Sequence, residues 1–188
     1  MKSKDVPTEG PALATTKASS VVMVNTGEGK GKSTAAFGVV MRAVAREWRV
    51  CVIQFVKSDR WKVGEEQIAR RLGVDWLKGG DGFSWESPDL DRSAGRARAA
   101  WELAAAAIGG GDYELVVLDE ITYPINWGWI DGAEVAEAIT ARPAAVNVVC
   151  TGRDAPPALV DVADTVTEMR KIKHAYDSGV IAKKGIDY

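Results

Sequence analysis

Histidine is nearly absent from this chain, which has only His174, and cysteine is almost as scarce, with Cys51 and Cys150 alone. A zinc cluster built on several histidines is thereby excluded. Each cysteine sits in an apolar strand-like run, which reads as a buried reduced thiol rather than part of a disulfide framework. No serine or cysteine stands out as a nucleophile for His174 to activate, and spacing alone defines no triad. No apolar run approaches the roughly 18 residues of a spanning helix. The N-terminus carries Lys2 and Lys4 without an apolar segment behind them, unlike a secretory signal. Charge of one sign is also lacking: 24 Lys and Arg against 26 Asp and Glu leave a net charge of −2. That balance argues against a broad nucleic-acid-binding surface. Together these absences describe a cytoplasmic protein with no membrane and no nucleic-acid partner.

What is present is glycine in one place. The apolar run Val21-Val22-Met23-Val24 empties into Thr26-Gly27-Glu28-Gly29-Lys30-Gly31-Lys32-Ser33-Thr34. A strand, a glycine turn and then Gly-Lys-Ser at the start of a helix describe a phosphate cradle. Glycine allows positive φ and close approach to an anion, and successive N–H groups with the following helix dipole face the phosphates. Residues 26–34 are the candidate ATP-binding loop, with Lys32 reaching the phosphates and the Ser33 hydroxyl on Mg²⁺. The spacing departs from G-x-x-x-x-G-K-[ST]. The first glycine should stand at position 26, which is Thr26, so the loop measured from Gly27 is one residue short. The plainer alternative is a glycine-rich turn that binds nothing.

Residues 1–20, rich in Pro, Thr, Ser and Ala, read as a flexible N-terminal arm. Residues 21–188 read as a single catalytic domain, of a size that buries one core. Strands are expected at Val21–Asn25, Val50–Val56, Val74–Leu77, Leu115–Leu118, Val146–Thr151 and Thr165–Met169. Most are continuously apolar, as in a parallel sheet covered on both faces. Helices are expected over Ser33–Arg46, Asp89–Ile108, Gly132–Ala141 and from Pro156-Pro157 to Ala163. In the second of these, Arg98 and Glu102 stand one turn apart, and Asp131 with Glu134 resembles a capping box opening the third. The alternation gives an α/β class: a three-layer P-loop (RecA-like) fold with a mostly parallel central sheet.

Three further segments carry chemistry. Leu115–Leu118 ends in Asp119-Glu120, which suits a metal-side carboxylate pair in a P-loop protein, or else a solvated strand end. Gly82-Phe83-Ser84-Trp85-Glu86 places two large aromatics beside glycines, as core packing or as an apolar loop surface. Trp127-Gly128-Trp129 is similar, and most of the seven tryptophans should be core or interface. The end from His174 to Tyr188 is basic and would ordinarily be solvated surface.

Read together, TGEGKGKSTAAFG at 26–38, VIQFVK at 52–57, GFSWE at 82–86, VVLDEITY at 116–123, TGRDAP at 151–156 and the ending TEMRKIKHAYDSGVIAKKGIDY resemble the ATP:corrinoid adenosyltransferases. The resemblance implies transfer of the 5′-deoxyadenosyl group of ATP to the Co(I) of a corrinoid, with release of triphosphate. It implies a triphosphate held in the reverse sense to ordinary P-loop enzymes, Mg²⁺ on Ser33 and Glu120 with Asp119 in support, and Phe83 and Trp85 lining the corrinoid. It further implies a homodimer and an external electron donor such as a flavoprotein. Glu28 stands where several relatives have Asn, and residues 1–20, with Pro7 and Pro11, lack the helical arm of many relatives. The rival functions are a RecA-like ATPase or small-molecule kinase using the same loop, and a module that delivers corrinoid without chemistry.

Overall fold

The computed structural model describes residues 14–56, 64–79 and 90–187. Phe83 and Trp85, and most of the expected arm, lie outside them. The described residues form strands β1 (Val22–Thr26), β2 (Val50–Gln54), β3 (Asp75–Lys78), β4 (Leu115–Asp119), β5 (Asn147–Thr151) and β6 (Thr165–Glu168). Helices are α1 (Lys32–Val44), α2 (Gly64–Arg71), α3 (Leu90–Gly110), α4 (Thr122–Asn126), α5 (Gly132–Thr140) and α6 (Pro157–Asp161).

The sheet has the order β3-β2-β4-β5-β1-β6, and every pairing is parallel. The expected mostly parallel sheet is thus wholly parallel here. Strand residues alternate between two cores, as the two-residue period of a pleated strand requires. Val116 and Leu118 pack with Trp101, Ile108, Ile139 and Leu159 beneath α3, α5 and α6. Leu115 and Val117 pack with Ala36, Phe37 and Val40 of α1 and with Ala69 of α2. Both faces of the central strands are covered, so their sequences run apolar without a break. The result is the three-layer α/β arrangement of P-loop proteins.

The six expected strands appear with ends shifted by one or two residues. Two short helices were not anticipated. α2 (GEEQIARR) offers only Ile68 and Ala69 as apolar residues, of which Ala69 is buried, leaving almost no periodic stripe. α4 contains Pro124, which is tolerated because it falls in the first turn, where its missing N–H has no helical partner. The capping box at α5 is half realised: Asp131 Oδ1 accepts the Ala133 N–H at 2.9 Å. Glu134 instead faces α3, accepting from Arg98 at 2.6 and 2.9 Å and from Trp101 Nε1 at 2.7 Å. The expected Arg98–Glu102 pair is the longer one, at 3.9 Å.

Cys51 and Cys150 are buried free thiols. Burial pushes both up to about 12, with the nearby Asp75 adding to the shift at Cys51. Among the described residues no helix is long and apolar enough to cross a membrane.

β1 and β5 are neighbours, but the helices that follow them lie on opposite faces, α1 on one and α6 on the other. This makes a topological switch point, where a parallel sheet opens a crevice at the carboxyl ends of its strands.

Trp101 is the largest fully buried side chain among the described residues and also holds Glu134. Trp101→Ala is expected to cost roughly 3–5 kcal/mol in urea unfolding. Trp101→Phe, which keeps most of the volume and loses the N–H donor, is expected to cost about 1–2 kcal/mol.

Candidate functional site

The crevice is floored by the glycine loop. Gly27 and Gly31 take φ of 94° and 110°, and Gly31 opens α1 without a side-chain cap. The first-turn amides of α1 therefore have no intrahelical acceptor and are directed at the loop, where an anion binds. The Lys32 ammonium is held over the loop by the carbonyls of Gly27 and Gly29, both at 2.7 Å.

The loop lies flush against the residues leaving β6. Met169 N–H donates to Thr26 O at 2.8 Å, and Gly29 N–H donates to Met169 O at 2.5 Å. A Cβ on Gly27 would stand 2.6 Å from Met169 O, and one on Gly29 would stand 2.7 Å from the same atom. Glycine at position 29 is thus required by backbone packing against Met169, not by a left-handed φ. One amide of the short loop is already tied into the sheet edge.

Asp119 ends β4 fully buried. Its Oδ2 accepts Gln54 Nε2 at 2.8 Å and its Oδ1 accepts the Thr151 hydroxyl at 2.8 Å. Gln54 Oε1 in turn accepts Trp76 Nε1 at 3.2 Å. Thr151 Oγ1 also accepts the Glu120 N–H at 2.9 Å, which fixes Glu120 at φ 66°. A non-glycine residue in this region stores backbone strain of order 1–3 kcal/mol and persists only where its surroundings impose it. Asp119 is thus fully engaged by its neighbours, while the Glu120 carboxylate lies near enough to Lys32 to act on its charge.

The turn after β5 closes the other wall. Arg153 pairs with Glu28 at 3.2 Å, Ala155 N–H donates to Thr26 Oγ1 at 3.0 Å, and Asn126 Nδ2 donates to Asp154 O at 3.0 Å. Gly152 is obligatory, since a Cβ there would meet Thr122 Oγ1 at 2.0 Å. Tyr123, Trp127 and Trp129 run from this wall as stepped rings, with centroids 5.6 and 4.7 Å apart.

These groups act on one another. Burial holds Lys32 below its ordinary value and Arg153 adds to that, while Glu28, Glu120 and Asp154 pull it back up. Burial raises Tyr123; Arg153 opposes the shift, and Glu120, Glu28 and Asp154 reinforce it. Thr26–Lys32 and Glu120 thus stand close to one another. Arg153 and Asp154 share this field at Lys32 and at Tyr123, and the sequence motifs give none of these three a role. Their signal was a glycine-containing turn directly after an apolar strand, and an aromatic one turn past the acid pair.

A glycine phosphate loop between β1 and α1, faced by a strand-end carboxylate on a parallel sheet, defines a P-loop nucleotide-binding protein. The sequence profile of the family described as ATP:corrinoid adenosyltransferase BtuR/CobO/CobP matches residues 18–188, and the chain belongs to that family. It is 43% identical over 170 residues to a corrinoid adenosyltransferase of Pseudomonas aeruginosa, covering 89% of this chain and 83% of that protein. It is 39% identical over 168 residues to the corrinoid adenosyltransferase CobA of Salmonella typhimurium, covering 89% and 85%. A corrinoid adenosyltransferase of Escherichia coli K12 is 38% identical over 168 residues with the same coverage. The ATPase and kinase alternatives are not favoured.

Arg153 is the cation that depresses Lys32. Arg153→Ala is expected to move the Lys32 titration upward, because a cationic neighbour is lost and Glu28 is released from its pair. Side-chain NMR of Lys32 through the alkaline range reads this directly, and an unmoved midpoint would remove Arg153 from the site.

Proposed function

We propose that this chain transfers the 5′-deoxyadenosyl group of ATP to the Co(I) of a corrinoid in adenosylcobalamin biosynthesis or salvage. The gathering of Lys32, Glu28, Glu120 and Arg153 around one phosphate loop at the switch-point crevice carries this reading, with family membership giving the reaction. The Co(I) electron pair forms the Co–C bond at C5′, the C5′–O bond breaks, and its electrons leave with triphosphate. No protein acid or base is needed for that displacement. The chain's task is to place C5′ in line with cobalt and to stabilise charge on the departing triphosphate. The α1 amides and Lys32 do the second.

Mg²⁺ fits the donor set. Mg²⁺ is commonly held by one or two protein oxygens plus substrate phosphates and water, and a serine hydroxyl at the start of α1 and a carboxylate after β4 are oxygen donors of that kind. Ser33 and Glu120 would hold it, with Asp119 positioning Glu120. Bound there, it would neutralise phosphate charge.

Phe83 and Trp85, outside the described residues, are proposed as the corrinoid face. The same reading takes the chain to be a cytoplasmic homodimer with one catalytic domain from residue 21, supplied with electrons by an external donor such as a flavoprotein.

An anaerobic assay with ATP, Mg²⁺ and chemically reduced corrinoid tests the reading. Adenosylcorrinoid and triphosphate are the expected products, and ADP as the product would overturn it. Lys32→Ala is expected to lower turnover by about 10²–10³, the usual cost of one lost electrostatic donor to a developing charge. Near wild-type transfer in that variant would dismiss the loop. Glu120→Gln is expected to raise the Mg²⁺ concentration needed for half-maximal rate while leaving the melting temperature unchanged. An unaltered Mg²⁺ dependence would place the ligand elsewhere.

A further inference from the structure

Beside the phosphate loop, on the side away from Glu120, lies a cavity of about 310 Å³ between Gly29-Lys30 and the segment following β6. That is some ten times the ~30 Å³ share of one water molecule in the liquid, ample for a phosphate group. Lys30, Arg170, Lys171 and Lys173 line it against one carboxylate, Asp187. Lys171 is turned to Asp177 at 3.2 Å. His174, also in the lining, accepts the Tyr176 N–H on Nδ1, which leaves the ring proton on Nε2 as a donor.

We propose that this cavity binds the distal phosphate of the nucleotide's polyphosphate chain, and that Asp187 is its intramolecular competitor. The inference rests on the reading of residues 26–34 as the ATP site. Two observations carry it. The first is charge. The loop and Lys32 grip only part of a triphosphate, and the remainder must run off one flank of the cradle. One flank presents Glu28, Glu120 and Asp154 against Arg153, which is paired to Glu28; the other presents the cations just named against Asp187. The end of a polyanion that extends beyond the loop is better stabilised over the second flank, where cations outnumber carboxylates.

The second is that an anion of the protein itself already lies there. The Asp187 carboxylate pairs with Lys30, and its other oxygen accepts the Lys183 N–H at 2.7 Å. The C-terminal turn therefore closes on a lysine of the phosphate loop. A distal phosphate gains Lys30 by displacing Asp187. When triphosphate departs, Asp187 regains the lysine, so the tail favours product release.

The test is calorimetric titration of ATP and, separately, inorganic triphosphate into the full chain with Mg²⁺ at low and high salt. Arg170→Ala with Lys173→Ala is expected to weaken triphosphate binding about tenfold at low salt, the scale of lost charge-assisted contacts, and less at high salt. Asp187→Asn is expected to tighten triphosphate binding about threefold, since an exposed pair competes weakly. A damaged fold would not produce that opposite sign. If the wild-type chain binds ATP while the double variant leaves both affinities unchanged, the cavity proposal is overturned and the loop reading stands. Unchanged or weaker binding in Asp187→Asn overturns the competitor. A wild-type chain binding neither ATP nor triphosphate overturns the loop reading itself.

Discussion

The hydroxyl of Thr151 holds the site together. Buried between the ends of β4 and β5, it donates to Asp119 and accepts the Glu120 amide. A carboxylate taken wholly out of water is costly unless hydrogen bonds replace its hydration. Gln54 from β2 and Thr151 from β5 supply those bonds from either side of β4. Three adjacent parallel strands are thereby locked in register at their carboxyl ends. The same hydroxyl accepts the amide of Glu120, whose backbone is left-handed, so the placement of Glu120 is tied to the buried Asp119.

The glycine loop depends on a second constraint, from the opposite edge. β6 runs beside β1, and its exit residue Met169 exchanges hydrogen bonds with Thr26 and Gly29. The loop is consequently clamped between the β5 turn, through Ala155–Thr26 and Arg153–Glu28, and the start of the basic tail. That geometry puts the Arg153–Glu28 pair on one side of the loop and the cations after β6 on the other. It sets the basic segment after β6, whose composition suggests mere solvated surface, directly against the glycine loop.

Much of this was legible in residue order. Continuous apolar runs such as Leu115–Leu118 announce a doubly covered parallel strand, because no face is left for water. Gly31-Lys32-Ser33 after a strand announces a phosphate loop, because few other uses place a lysine at the uncapped start of a helix. α2 escaped notice because a helix held by one buried alanine has no stripe to read. Glu134 was misassigned as half of a capping box because local spacing was right, while Arg98 and Trp101, far away in sequence, offered stronger partners.

The sequence by itself determined the class of fold, the strand positions, the phosphate loop and the acid that follows β4, since each is written in contiguous residues with local physical causes. Tertiary structure alone decided that Asp119 is buried and bonded by Gln54 and Thr151, why Gly29 is glycine, and that Arg153 and Lys30 meet Glu28 and Asp187. Those outcomes come from pairings distant in sequence, from Thr151 with Asp119, 32 positions apart, to Lys30 with Asp187, 157 positions apart. Strand order brings such residues together, and no local pattern encodes that order.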